Sequence, residues 1–149
     1  MYKEVGISSN NVPITLSIWY TERSCPTIVF LPGTMSHPLM YENFLSGLCE
    51  RGFNIIGVHY LSHGKSPKIK MNYTMEDLLY NVYDATTYGM ENYGDNIAVM
   101  GSSQGGILAA MAAGRDTRLK AVFPHNIMLT TLKETMSLTK YPAWTHRFM

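Results

Sequence analysis

The sequence predicts an α/β protein in which a mostly parallel sheet is flanked by helices. Short apolar runs with strand character alternate along the chain with segments of helical periodicity, a pattern typical of parallel sheets. Most of these runs are apolar throughout, as expected for strands that are buried on both faces. With 149 residues, the chain is long enough to form one domain with a substantial core.

Alternation and apolar runs predict the individual strands. Ile14, Leu16 and Ile18 recur at period two, which predicts a half-buried strand over residues 12–20. The other strands are continuous apolar runs bounded by turn residues, such as the run that ends before Pro32. Their residues are 27–31, 54–60, 96–100 and 119–124.

Helices are predicted between these strands. Apolar residues at helical spacing indicate a helix over 41–51. Thr74 is the expected N-cap of a second, amphipathic helix that ends near Met90. An alanine-rich third helix over 106–113 is expected to stop at Gly114.

The composition excludes several classes of function. The net charge is +1 and the basic residues are scattered, so nucleic acid is not an expected partner. No stretch approaches about 20 apolar residues, so no transmembrane segment is expected. Two cysteines without a signal peptide favour a reducing compartment, and the expected location is cytoplasmic.

The histidines and glycines in the middle of the chain do not predict a metal or phosphate site. His59 and His63 flank a strand end, where they do not share one helix face, so they are not expected to bind a metal. The segment Gly64-Lys65-Ser66 lacks the preceding glycine of a phosphate-binding loop, because position 59 is histidine. We expect no cofactor.

The strongest functional signal is the segment Gly101–Gly105, which matches the G-x-S-x-G pattern of a nucleophile elbow. A strand is predicted directly before it and a helix directly after it, which is the setting that the pattern requires. The elbow exposes the hydroxyl of Ser103 at a helix N-terminus, where the dipole favours developing negative charge. Ser103 is therefore the predicted nucleophile, and Ser102 is expected to pack beneath the turn. The backbone amide of Gln104 is expected to donate to the oxyanion.

Polar loops follow the carboxyl ends of three predicted strands, at residues 32–37, 59–67 and 102–104. In parallel α/β sheets, the binding site lies at that edge of the sheet. We therefore expect these loops to converge around Ser103.

Three motifs in this order resemble the α/β-hydrolase family, most closely its monoacylglycerol-lipase and lysophospholipase branch. They are Leu31-Pro32-Gly33-Thr34, the segment 59–67 and the elbow Gly101–Gly105. The resemblance implies an α/β-hydrolase sheet that is truncated after about the sixth strand of the family. It also implies that the backbone amide of Thr34, with Met35 as the fallback, is the second oxyanion donor.

The chain departs from the family pattern at four positions. Pro32 stands where the family has His, His59 where it has Asp, Leu61 where it has Arg, and Ser62 where it has Gly. The amide after Gly33 is unaffected by the first departure, so an oxyanion donor remains. The other three departures change the packing and charge of the loop.

The family's chain order of nucleophile, acid and base limits the candidates for the remaining triad members. His125 and His146 are the histidines that follow Ser103. His125 comes directly after a strand, too early for the base of the family, and His146 falls where the family builds a cap. Neither is expected to be the base, and Asp116 is expected to be a surface residue.

The resemblance implies a serine hydrolase that cleaves carboxylic esters of small molecules or lipids through an acyl-enzyme on Ser103. An amidase or peptidase of the same fold stays open, because motif and fold do not fix the leaving group. A non-catalytic binding module also stays open, because the acid and base are not identified.

Residues 1–127 are expected to form the N-terminal part of the hydrolase core, and residues 128–149 the start of a cap. Three explanations then compete. The sequence is a fragment of a catalytic protein, a stand-alone binding module, or one part of an enzyme that a second chain completes.

Overall fold

A β-hairpin opens the chain. In the computed structural model, which describes residues 1–69 and 72–126, strand β1 (Tyr2–Ser9) pairs with the antiparallel strand β2 (Val12–Trp19). Asn10 and Asn11 join the two strands with φ angles of 46° and 64°. Positive φ at both central residues is the requirement of a type I′ turn, for which asparagine is one of the favoured residues.

The other strands are β3 (Thr27–Leu31), β4 (Asn54–His59), β5 (Ile97–Ser102) and β6 (Ala121–His125). They continue the sheet in the order β1-β2-β4-β3-β5-β6. Strand β2 is antiparallel to β4, and the pairs β4–β3, β3–β5 and β5–β6 are parallel. The predicted α/β class with a mostly parallel sheet is therefore confirmed.

The helices follow the predicted positions with shifted ends. Among the described residues they are α1 (Glu42–Glu50), α2 (Met75–Tyr93) and α3 (Gln104–Arg115), and a 3-10 turn (Pro38–Tyr41) precedes α1. The prediction that the third helix stops at Gly114 is wrong, because α3 continues through Arg115. A glycine costs only about 1 kcal/mol relative to alanine within a helix, which packing against the sheet readily offsets.

Helix α2 begins with a complete capping box. The side chain of Thr74 accepts a hydrogen bond from the amide of Asp77, and the Asp77 carboxylate accepts one from the amide of Thr74. These bonds satisfy amides that have no acceptor within the helix, and this fixes the start of α2 where the sequence predicts it.

Each face of the sheet carries its own apolar layer. Helices α2 and α3 cover one face, where Leu78, Leu79 and Leu108 are fully buried. Helix α1 packs on the other face through Leu45, against Phe30 of the sheet. The predicted cap over 128–149 lies outside the described residues, as does His146.

Candidate active site

The elbow forms where β5 passes directly into α3. Ser103 lies between these two elements with φ 54° and ψ −119°, and its side chain is exposed. Its carbonyl oxygen accepts hydrogen bonds from the amides of Gly106 (2.9 Å) and Ile107 (3.2 Å), which start the helix. Its own amide donates to the carbonyl of His125 in β6 (3.0 Å). The backbone on both sides of the serine is therefore fixed while its hydroxyl is open to solvent.

The two glycines of the elbow are required by close backbone contacts. A Cβ atom on Gly101 would lie 2.0 Å from the carbonyl oxygen of Gly105. A Cβ atom on Gly105 would lie 2.0 Å from the carbonyl oxygen of Leu31 at the end of β3. Distances this short leave room only for hydrogen, so the G-x-S-x-G pattern here reflects packing of β3, β5 and α3.

The turn that contains Thr34 lies beside the serine. A Cβ atom placed on Gly33 would be 3.4 Å from the Cβ atom of Ser103, which is ordinary contact. The Gly33 carbonyl accepts hydrogen bonds from the amide (3.2 Å) and the hydroxyl (2.8 Å) of Ser36. Thr34 and Met35 are the exposed central residues of this turn, and Met35 has a φ of 59°. Both sequence-derived candidates for the second oxyanion donor thus occupy one turn against the elbow.

Gln104 is the first residue of α3. Its amide therefore has no acceptor within the helix and lies at the positive end of the helix dipole. The Gln104 side chain contacts the sulfur of Met75 at 3.6 Å, which connects the elbow to the start of α2.

The loop after β4 joins the same edge of the sheet. The hydroxyl of Tyr60 donates a hydrogen bond to the carbonyl of Pro32 (3.0 Å). A Cβ atom on Gly64 would lie 2.7 Å from the Cβ atom of His37. The loops over 32–37 and 59–67 are therefore in contact with each other, and the first also contacts the elbow.

His59 is a fully buried, neutral side chain. Burial, together with the nearby His37 ring (5.8 Å between centroids), lowers its pKa to about 4. Its Nδ1 accepts a hydrogen bond from the amide of Lys65 (3.1 Å), so its Nε2 carries the proton and donates to the Ser17 hydroxyl (2.9 Å). A histidine with both nitrogens occupied in this way packs where the family pattern has a carboxylate.

His63 has its ring nitrogens occupied too. Its Nδ1 contacts the carbonyl of Leu61 (2.9 Å), and its Nε2 contacts the hydroxyl of Tyr73 (3.1 Å). Among the described residues, no group of three or more His, Cys, Asp or Glu side chains is arranged to hold a metal ion.

Asp116 corrects one expectation from the sequence. It is 8% exposed rather than a surface residue, and both of its carboxylate oxygens accept hydrogen bonds from Arg118 (2.8 and 2.7 Å). Arg118 also donates to the hydroxyl of Thr87 in α2 (2.8 Å). This cluster fixes the end of α3 to α2 on the sheet face that these two helices cover, and it has no part in the site.

A cavity of about 830 Å³ lies on the sheet face that packs α1. Its lining is mainly apolar and comprises Phe30, Tyr41, Phe44, Met100, Gly101, Ser102, Val122, Phe123, Pro124 and His125. Ser102 lines this cavity, whereas Ser103 does not. His125, at the end of β6, lines it as an exposed residue.

A family model described as the alpha/beta hydrolase fold matches residues 26–149. The chain belongs to the α/β-hydrolase fold family. No curated protein sequence matches it. The part of the chain that the structure describes contains no helix long and apolar enough to cross a membrane.

Solved structures of several hydrolases are similar to this chain. The esterase Pf2001 of Pyrococcus furiosus has 21% identity and a TM-score of 0.73, over 99% of this chain and 62% of that one. The thioesterase domain from the curacin biosynthetic pathway has 17% identity and a TM-score of 0.75, over 95% and 55%. The epoxide hydrolase CorEH has 18% identity and a TM-score of 0.67, over 80% and 40%. The chain spans about half the length of these relatives, and at such identities the similarity shows the fold alone.

Proposed function

We propose that this chain carries the nucleophile of a serine hydrolase that cleaves carboxylic esters through an acyl-enzyme on Ser103. The observation that carries the proposal is the backbone of Ser103, which has a positive φ between β5 and α3 and leaves the side chain exposed. Similarity to an esterase and a thioesterase supports hydrolysis of an acyl compound.

In the proposed reaction, the Ser103 oxygen attacks the ester carbonyl carbon and its proton passes to a base. The carbonyl oxygen becomes an oxyanion, which the amides of Gln104 and Thr34 stabilise. Loss of one such donor costs on the order of 3 kcal/mol of transition-state stabilisation. The base then protonates the leaving alcohol, and water hydrolyses the acyl-enzyme by the same steps.

The base and its acid are proposed to lie beyond the described residues. In residues 1–69 and 72–126, no histidine is hydrogen-bonded to the Ser103 hydroxyl. The ring nitrogens of His59 are occupied by Ser17 and Lys65, and those of His63 by Leu61 and Tyr73. The complete hydrolysis reaction is therefore proposed for the whole protein and not for the described residues alone.

Lipid esters are the finer proposal for the substrate. Met35 is 81% exposed in the turn that lies against the elbow, so an apolar acyl or alkyl chain near Ser103 would meet an apolar side chain. A cytoplasmic location is also proposed, because Cys25 and Cys49 are both free thiols.

Labelling with a fluorophosphonate probe tests the nucleophile. We expect the whole protein and its Ser102→Ala variant to be labelled at similar rates, and its Ser103→Ala variant not to be labelled. Ser102 is the matched control because it is the neighbouring serine and lines the cavity on the other side of the turn. Equal labelling of Ser103→Ala and the parent protein would disprove the proposal.

Turnover of p-nitrophenyl esters and matched p-nitroanilides distinguishes the alternatives. Ester hydrolysis above the Ser103→Ala control, with anilides left intact, supports the esterase. Preferential anilide cleavage would instead indicate an amidase or peptidase. Absence of both labelling and turnover would leave a non-catalytic binding module.

A further inference from the structure

We infer that Tyr60 is a positioning residue for the turn that carries Thr34. Its hydroxyl donates a hydrogen bond to the carbonyl of Pro32, two residues before Thr34. Through this bond the tyrosine sets where the turn lies relative to Ser103. The inference rests on the proposed function, because it assigns Tyr60 a role in forming the oxyanion site.

The Pro32 carbonyl is the point where three elements meet. A Cβ atom on Gly105 would lie 2.6 Å from this oxygen, so the carbonyl already touches the first turn of α3. The same oxygen accepts the Tyr60 hydrogen bond (3.0 Å) from the loop after β4. Movement of the Pro32 peptide would therefore shift the following turn against the elbow.

Tyr60 can hold the turn in position because contacts with its neighbours fix its own side chain. Its side chain is 0% exposed, and its ring packs edge-on against His63 at 5.9 Å between centroids. The amide of the next residue, Leu61, donates to the side-chain oxygen of Asn81 (2.8 Å) in α2. Asn81 is itself 1% exposed and donates to the hydroxyl of Ser9 (2.8 Å) at the end of β1.

The Tyr60 hydroxyl also keeps its proton, so it is always able to donate the hydrogen bond to Pro32. Burial raises the pKa of Tyr60 well above its usual value, so the group remains protonated throughout the working pH range. Removing the hydroxyl would leave the buried Pro32 carbonyl without this partner, which loosens the peptide that it holds.

The Tyr60→Phe variant tests the inference, because it removes the hydroxyl and keeps the ring. Hydrogen exchange is measured at the amide of Ser36, which is hydrogen-bonded to the Gly33 carbonyl within the turn, and, for comparison, in α2. We expect exchange in the turn to become about tenfold faster, which corresponds to one lost hydrogen bond, while exchange in α2 is unchanged. An unchanged rate in the turn overturns the inference, and so does an equal acceleration in α2, which would mean general destabilisation.

Tyr80→Phe is the matched control, because Tyr80 lies exposed on α2 and loses the same hydroxyl. It should leave exchange in the turn at the parent rate. If Tyr60→Phe does not fold, the parent chain supplies a second measurement by proton NMR. A slowly exchanging Tyr60 hydroxyl proton supports the hydrogen bond to Pro32, and a rapidly exchanging one overturns it.

Labelling kinetics connect the turn to the oxyanion site. In Tyr60→Phe we expect the maximal rate of fluorophosphonate labelling at Ser103 to fall about tenfold, with the half-saturating probe concentration unchanged. Labelling at the parent rate would overturn the positioning role. If the whole protein is not labelled above its Ser103→Ala variant, the proposed function fails, and hydrogen exchange still decides whether Tyr60 holds the turn.

Discussion

Replacement of Gly105 by alanine should destabilise the fold even though it favours the helix. Gly105 is the second residue of α3, where alanine gains up to about 1 kcal/mol in helix propensity. The new Cβ atom would lie 2.0 Å from the Leu31 carbonyl oxygen and 2.6 Å from that of Pro32. Both are backbone atoms at the end of a buried strand, so relief requires α3 to move away from β3. Overpacking of this kind costs roughly 1–3 kcal/mol or more, and we expect a net loss of about 2 kcal/mol.

Thermal unfolding followed by circular dichroism measures this loss. For a chain of this size, about 2 kcal/mol lowers Tm by roughly 4–8 °C. Gly47→Ala is the matched control, because Gly47 lies within α1 and its new Cβ atom would meet only the flexible end of Arg51 at 3.5 Å. That variant should gain about 0.5–1 kcal/mol. A Gly105→Ala variant as stable as Gly47→Ala would refute the close packing of the elbow.

Three further outcomes follow from the structure. Ser103→Gly should raise stability by about 1 kcal/mol in urea unfolding, because glycine accepts a φ of 54° without strain, while labelling is lost. The free energy of unfolding should fall as the pH drops from about 6.5 towards 4, by at most about 1.4 kcal/mol per pH unit from His59. In this range His59 binds a proton in the unfolded chain, whereas the buried ring of the folded chain stays neutral. Thr74→Ala should cost about 1 kcal/mol in the same urea measurement, because it removes the capping box at the start of α2.

Each of these outcomes has a distinguishing comparison. Ser102→Gly should lose stability, since Ser102 ends a strand and has no positive φ to relieve, so equal effects at Ser102 and Ser103 would contradict the strain argument. The pH dependence should flatten in His59→Gln, and an unaltered slope would show that groups other than His59 cause it. A Thr74→Ser variant should retain the cap.

The strands that the sequence predicts well are those buried on both faces. Strand β3 (Thr27–Leu31) has the predicted bounds, because all of its residues are buried and the apolar run has no interruption. Strand β1 was not predicted, because it is an edge strand whose residues alternate between exposed and half-buried. The adjacent residues Asn10 and Asn11 were the available signal, since paired asparagines at positive φ are typical of a hairpin turn.

Local pattern also explains which parts of the site could be found. The elbow is contiguous in the chain, so its strand, turn and helix are all visible in a short window. The contact between Tyr60 and Pro32 joins residues 28 positions apart, and the one between Asn81 and Ser9 joins residues 72 apart. Such contacts depend on the order of strands in the sheet, which propensity and periodicity do not encode. The bidentate pairing of Asp116 with Arg118 was missed although it is local, because the pattern of apolar and polar residues does not show whether a carboxylate is buried.

The packing of the elbow does not account for the serine side chain at position 103. The packing that forces the turn acts through Gly101 and Gly105 and through the backbone of residue 103, and none of these contacts uses the serine hydroxyl. At a φ of 54° glycine would suit the backbone better, so the serine costs stability where it contributes nothing to the fold. What the serine adds is an exposed oxygen at the positive end of α3, beside the turn that contains Thr34 and Met35. Because the backbone strain at Ser103 brings no structural gain, it supports a chemical role for the serine oxygen.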